Sequence, residues 1–254
     1  MSCVLVTRPA GQAQGLIDAL MAAGHQVMHQ PVLAITGLDS DTDGAIITAL
    51  RDRVMHLDRY RHIIFVSTNA VEQGMHWLEQ FWPQWPVGLD WHAVGAATAA
   101  ALASHGIDAS EPGGAMNTEA LLAQPGLSRV QGDRVLIVRG VGGREAMAGT
   151  LRSRGAAVDY LECYRRVVPY DGAEHLIALV NNGVDVIVVT SGDSLSNLTQ
   201  MLSVDVIDRA RQAVLVVPGE RVASLARQQG FQQICVARSA TTADIVDAVT
   251  KQGI

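Results

Sequence analysis

The sequence predicts an α/β protein built as two similar parallel-sheet domains from an internal duplication. The first observation is a gapless repeat. Residues 4–35, VLVTRPAGQAQGLIDALMAAGHQVMHQPVLAI, return as residues 135–166, VLIVRGVGGREAMAGTLRSRGAAVDYLECYRR. Val4/Val135, Arg8/Arg139, Leu20/Leu151, Gly24/Gly155 and Val27/Val158 fall opposite one another at an offset of 131. The second observation is that three more stretches repeat in the same order. Residues 62–79 resemble 185–202, residues 92–107 resemble 215–231, and residues 117–122 resemble 241–246, at offsets of 123 or 124. The third is that each stretch reads as an apolar strand, a turn and a helix, the alternation that gives parallel sheets. Any one match could arise by chance between generic strand–turn–helix units. The shared order and nearly constant spacing favour duplication, and taken alone they suggest a tandem split near residue 130.

The length of 254 residues suits two compact domains of about 120 each. With 48% hydrophobic and 17% charged residues the composition is that of an ordinary globular protein. No apolar run approaches the roughly 20 residues that a membrane span needs. The N-terminus enters a strand at Val4 with no basic, signal-like segment. Cys3, Cys163 and Cys235 are isolated and lie in or beside apolar strands, as small packed thiols do. Together these features point to the cytoplasm. The net charge is −6 and the sole lysine is Lys251, so a nucleic-acid partner is not expected. A small anionic ligand responds to local donors and remains open.

In chain order, residues 4–6 form a strand with Thr7-Arg8-Pro9 at its end, and residues 12–23 a helix stopped by Gly24. A strand at 26–30 follows, then an extended stretch at 31–37 and an acidic, turn-rich candidate linker at 38–44. Residues 45–57 are a helix and 61–66 a strand. Ser67-Thr68-Asn69 caps a helix at 70–82, which Pro83 stops. Trp77, Trp82, Trp85 and Trp91 cluster here, as packing around a helix end or as an aromatic ligand wall, with packing favoured. A strand at 91–94 leads through Gly95 into a helix at 98–104, and Asn117-Thr118-Glu119 caps a short helix. The second round gives strands at 134–138, 157–160, 184–189, 214–217 and 234–237. Helices are expected at 145–154, 172–181, 195–202, 222–229 and 244–250, the last capped by Thr241-Thr242.

Open parallel sheets bind ligands outside the carboxyl ends of their strands. The residues there are Arg8; Ser67, Thr68 and Asn69; Gly95 and Thr98; Thr118; Arg139 and Gly140; Ser191 and Gly192; Gly219 and Arg221; and Thr241 and Thr242. Hydroxyls, arginines and free N–H groups at helix N-termini suit carboxylates or phosphates. Each Ser or Thr taken singly is explained as a helix cap; as a set on both copies they favour a ligand cleft. Residues 140–145, GVGGRE, are not a dinucleotide fingerprint, and no P-loop, HExxH, GxSxG or metal-spaced Cys/His pair occurs. The eight histidines are scattered, so no metal and no cofactor is expected.

Taken together the motifs resemble the uroporphyrinogen-III synthase family of tetrapyrrole biosynthesis. The resemblance rests on VLVTRP (4–9), FVSTNAV (65–71), AVGAATAAAL (93–102), VLIVRGVGGRE (135–145), ECYRRV (162–167) and SATTADIVDAV (239–249), and so covers nearly the whole chain. It implies flavodoxin-like, doubly wound domains that are discontinuous: residues 1–34 with 171–254, and residues 41–161, joined by an antiparallel pair of connector strands at 35–40 and 162–170. It implies cyclisation of linear hydroxymethylbilane to uroporphyrinogen III, with inversion of ring D and release of water. The substrate would carry eight carboxylates for the strand-end donors, and a two-domain cleft would close on it. Tyr164 matches the tyrosine that assists departure of the hydroxyl, and Thr98 the family's turn threonine. The family commonly has hydroxyl residues after the twin Gly-Pro turn. Here Glu220, Arg221 and Val222 follow Gly219, so Arg221 would meet a carboxylate instead. The resemblance further implies a monomer without cofactor that meets neighbouring pathway enzymes only transiently. Two rivals stand beside it: a non-catalytic two-domain protein closing on a small anion, and a receiver-like module, which would want an acidic residue at a strand end.

Overall fold

The computed structural model describes residues 2–113 and 118–251. The chain opens with β1 (Cys3–Val6), α1 (Gln14–Ala22), β2 (Gln26–His29), β3 (Ala34–Thr36) and α2 (Gly44–Met55). Next come β4 (His62–Phe65), α3 (Thr68–Phe81), β5 (Asp90–Ala93), α4 (Ala96–Ala103), α5 (Thr118–Leu122), α6 (Pro125–Ser128), β6 (Arg134–Gly140), α7 (Ala146–Ser153) and β7 (Ala157–Val167). The chain finishes with α8 (Ala173–Asn181), β8 (Val186–Val188), α9 (Gly192–Met201), α10 (Val204–Gln212), β9 (Val214–Val217), α11 (Glu220–Gln228), β10 (Ile234–Val236) and α12 (Thr242–Thr250). The Asn117 cap expected from the sequence lies outside the described residues.

Two compact units emerge, Met1–Ala34 with Val167–Ile254, and Ile35–Arg166. They are not the tandem halves that the repeat alone suggests. The chain leaves the first unit on β3 and returns to it at the end of β7, two strands that neighbour each other in one sheet.

The first unit holds a sheet in the order β10-β9-β8-β1-β2, and every pairing in it is parallel. Counted along this unit's own chain, that is the 2-1-3-4-5 order of a doubly wound sheet. Alternate residues serve opposite faces. Val4, Val6, Val186, Val188, Val214 and Val216 pack with Leu16 and Leu20 of α1 and Ile245 of α12. Leu5, Ile187, Leu215 and Val217 pack with α8–α11 through Leu176, Leu198, Val206 and Val222. Burying each such side chain contributes roughly 1.5–3 kcal/mol, so both faces stabilise the unit.

The second unit holds the order β3-β7-β6-β4-β5, with β7-β6, β6-β4 and β4-β5 parallel. Its β7-β6-β4-β5 run matches β2-β1-β8-β9 of the first unit. A parallel bridge from His92 to Ser110 sits where β10 sits in the other sheet. Ile63, Phe65, Leu136, Val138 and Leu161 pack with α2–α4 on one face. Ile64, Val135 and Ile137 pack with Leu121, Leu127 and Leu151 on the other. α1 and α7 both end at a glycine in the left-handed region, Gly24 at φ 89° and Gly155 at φ 87°, the stop expected of each copy.

Three local expectations change, and the favoured packing of the tryptophans holds. Residues 38–44 are not a linker: Asp39 accepts the N–H groups of Asp41 and Thr42, and Asp43 is a buried carboxylate. Arg165 of β7 grips Asp43 through Nε at 2.7 Å and through Nη2, which holds the Asp43 carboxyl below its ordinary range. The four tryptophans pack on the core; Trp85 meets Trp91 edge-on at 5.3 Å, and Trp82 Nε1 donates to the Val54 carbonyl at 2.6 Å. Helix α10 was not expected. Val206, Ile207 and Ala210 give it a packed face, but the repeat has no counterpart, since residues 82–89 of the other unit are loop and turn. β7 runs unbroken for 11 residues, because the strand and the extended stretch expected after it are one element.

Candidate active site

In the second unit the carboxyl ends of β4, β6 and β7 bring together Ser67, Gly140 and Tyr164. Strand β6 lies between β7 and β4, so a side chain from β7 must cross β6 to reach β4. Tyr164 makes that crossing over Gly140. A Cβ on Gly140 would stand 2.6 Å from Tyr164 Cε2 and 2.8 Å from Cζ, closer than such atoms approach. The ring is fully buried. Its hydroxyl lies 3.2 Å from Ser67 Oγ and accepts from Arg166 Nη2 at 3.4 Å. Ser67 also caps α3, its Oγ accepting the Ala70 N–H at 3.2 Å. Thr68 is exposed in the first turn of that helix and Asn69 half-buried beside it.

Arg166 was not singled out from the sequence, although a signal was present. Residues two apart on a strand share a face, so Tyr164 places Arg166 beside itself. The Arg166 guanidinium lies 5.8 Å from the centre of the Tyr164 ring.

Arg139 occupies the expected strand end but turns inward. It is 5% exposed. Its guanidinium donates to the Gly143 carbonyl at 2.7 Å, the Arg144 carbonyl at 3.2 Å and Glu145 Oε1 at 3.1 Å. It also lies 3.5 Å from Glu162 Oε1 and 4.1 Å from the centre of the Tyr160 ring. It clasps the loop after β6. Thr98 is likewise buried, in the first turn of α4, which starts from Gly95.

In the first unit Arg8 extends from β1, and its Nη2 donates to the Ala240 carbonyl just before α12. Thr241 caps α12 by accepting the Asp244 N–H, and Thr242 opens the helix. Arg8, Thr241 and Thr242 therefore form one cluster. Ser191 caps α9 by accepting the Ser194 N–H at 3.0 Å, with Gly192 as its first residue. Arg221 stands exposed in the first turn of α11, after Gly219, and makes no ion pair or hydrogen bond among the described residues. Thr118 begins the short helix α5.

The cysteines behave as packing thiols: burial raises all three, Cys163 to about 12. At the opposite, amino edge of the second sheet His62 and His92 are buried. His92 Nδ1 lies 2.7 Å from Ser110 Oγ, and its Nε2 lies 3.1 Å from His62 Nδ1. His62 Nε2 lies 3.3 Å from Asp133. Among the described residues no three His, Cys, Asp or Glu side chains group so as to hold a metal ion, and no helix is long and apolar enough to cross a membrane.

The profile of the family described as uroporphyrinogen-III synthase HemD matches residues 14–247. The chain belongs to the uroporphyrinogen-III synthase family. It is 36% identical to the uroporphyrinogen-III synthase of Salmonella typhimurium over 243 residues, covering 93% of this chain and 95% of that one. Against the Escherichia coli enzyme of the same name it is 34% identical over 242 residues, with the same coverage. The fold is shared with a mutant uroporphyrinogen III synthase of Thermus thermophilus, at a TM-score of 0.62, 15% identity and full coverage of both chains. It is also shared with the Helicobacter pylori uroporphyrinogen-III synthetase, at a TM-score of 0.62 and 12% identity over 99% of this chain and 100% of that one.

Proposed function

We infer that the chain is a lyase that cyclises hydroxymethylbilane to uroporphyrinogen III, inverting ring D and releasing water. The observation that carries this reading is membership of the synthase family over residues 14–247. The strand-edge residues supply a chemical rationale. The substrate loses a terminal hydroxyl as water, which calls for a proton donor at the departing oxygen. Tyr164 is assigned that part; the residue is fully buried, so substrate binding must uncover its hydroxyl. The resulting azafulvene cation must be folded so that ring D attacks through its substituted carbon, which is a demand for positioning and dryness.

The carboxylates of the substrate are assigned to donors on each unit. In the first these are Arg8, Arg221, Thr241, Thr242, Ser191 and Gly192. In the second they are Thr68, Asn69, Thr98 and the Gly140 turn, with Ser67 turned to the Tyr164 hydroxyl instead. Arg139 serves the loop that carries Gly140 rather than the substrate, a reading supported by its inward hydrogen bonds.

We also read the two units as products of one duplication, with residues 35–40 and 162–170 as an antiparallel connector. The matched strand orders and the paired left-handed glycines support it. The protein is taken to act as a cytoplasmic monomer without cofactor, meeting other enzymes of its pathway transiently.

Ligand-induced stabilisation tests the binding half of this reading. Uroporphyrinogen III should raise the melting midpoint, while sugars, nucleotides and amino acids leave it unchanged. No shift with the tetrapyrrole would count against it.

A further inference from the structure

Resting on the role given to Tyr164 above, we propose that Ser67 and Arg166 are positioning residues that let the Tyr164 hydroxyl give up its proton and hold the phenolate that is left. The geometry is specific about donors. Arg166 has no acceptor, so its 3.4 Å contact can only place an N–H on the Tyr164 oxygen. Ser67 Oγ already accepts the Ala70 N–H at the head of α3, yet its own O–H remains free to turn. At 3.2 Å the Ser67 and Tyr164 hydroxyls can exchange roles. With Tyr164 donating to Ser67, the phenol is satisfied in a buried place. With Ser67 donating to Tyr164, the phenolic proton is released for another acceptor.

The step balances. As the C–O bond of the hydroxymethyl group breaks, the Tyr164 proton goes to the departing oxygen and water leaves. The phenolate oxygen then holds two donors, Ser67 O–H and Arg166 N–H. When the cyclised cation later loses a proton from ring carbon, that proton restores the phenol. No oxidant, reductant or metal is required. Gly140 is part of the device, because only a residue without Cβ lets the ring cross β6 to reach Ser67.

The test is a set of double-mutant cycles on the intact protein, with hydroxymethylbilane as substrate. Ser67→Gly keeps most of the α3 cap while removing the hydroxyl. Arg166→Met keeps the length of the side chain while removing the donors. Each should lower kcat about tenfold, the worth of a hydrogen bond to a charged group, with KM little changed. Ser67→Thr and Arg166→Lys should recover most of the loss. In a Tyr164→Phe background neither Ser67→Gly nor Arg166→Met should cost anything further. Full, additive losses in that background would overturn the proposal, since both residues would then act on substrate independently of Tyr164. Wild-type turnover in Tyr164→Phe would overturn it as well, while type III product from that variant would leave the overall activity standing. A rise in KM with unchanged kcat for Arg166→Met would make Arg166 a plain carboxylate ligand and refute the shared role.

Discussion

Tyr164 reaches Ser67 only because Gly140 has no side chain. The ring of Tyr164 lies on the Gly140 α-carbon, and an added methyl would sit 2.6 Å from the ring edge. The ring is fully enclosed within the core cluster of that face of the sheet. Gly140→Ala therefore displaces the tyrosine without deleting any functional group. Overpacking of this kind costs about 1–3 kcal/mol of stability. Turnover should fall towards that of Tyr164→Phe while the protein stays folded, which kinetics and a melting curve on one preparation would check.

Arg139 lies at the end of β6 and Arg221 in the first turn of α11, and their environments predict opposite phenotypes. Arg139 is enclosed by the loop at 140–145 and by Glu162, so Arg139→Met should lower stability by about 1–3 kcal/mol, most of it from carbonyls and carboxylates left without their donor. Arg221 is exposed and unpaired among the described residues. Arg221→Met should leave the melting midpoint unchanged and raise KM roughly tenfold if it meets a substrate carboxylate. Melting curves and Michaelis kinetics on both variants separate the two roles.

The buried histidine pair at the amino edge gives the second unit an acid-sensitive point. Burial, and then the charge of His62, push His92 down to about 4, with Asp90 opposing. A folded-state value below the unfolded value of 6.5 means that the fold favours neutral His92. That contribution is complete above pH ~6.5 and is lost as pH falls towards 4, about 3 kcal/mol in all. His92→Asn should therefore be less stable than the parent at pH 7 and should lose less between pH 7 and pH 4.5. Urea unfolding at the two pH values measures this, and an identical pH dependence in both proteins would contradict it.

Much of this was legible in the sequence because it depends on local periodicity. The strand cores, the helix-stopping glycines at 24 and 155, and the caps at Ser67, Ser191 and Thr241 each need only a few neighbouring residues. What was not legible depends on neighbours distant in the chain. The inward turn of Arg139 requires knowing that Glu162 on the adjacent strand and the 140–145 loop converge on it. The buried Asp43 requires Arg165, 122 residues away. The histidines looked scattered because His62, His92 and Asp133 meet only through the pairing of β5, β4 and β6. Helix α10 has no helical counterpart at residues 82–89 of the other unit, so the repeat carries no sign of it.

Closure of hydroxymethylbilane with inversion of ring D is the activity on which every role above depends. The most direct measurement adds purified protein to freshly generated hydroxymethylbilane, oxidises the products and separates the porphyrin isomers. Predominantly the type III isomer should form, in proportion to enzyme added. Type I alone, the product of unassisted closure, would contradict it.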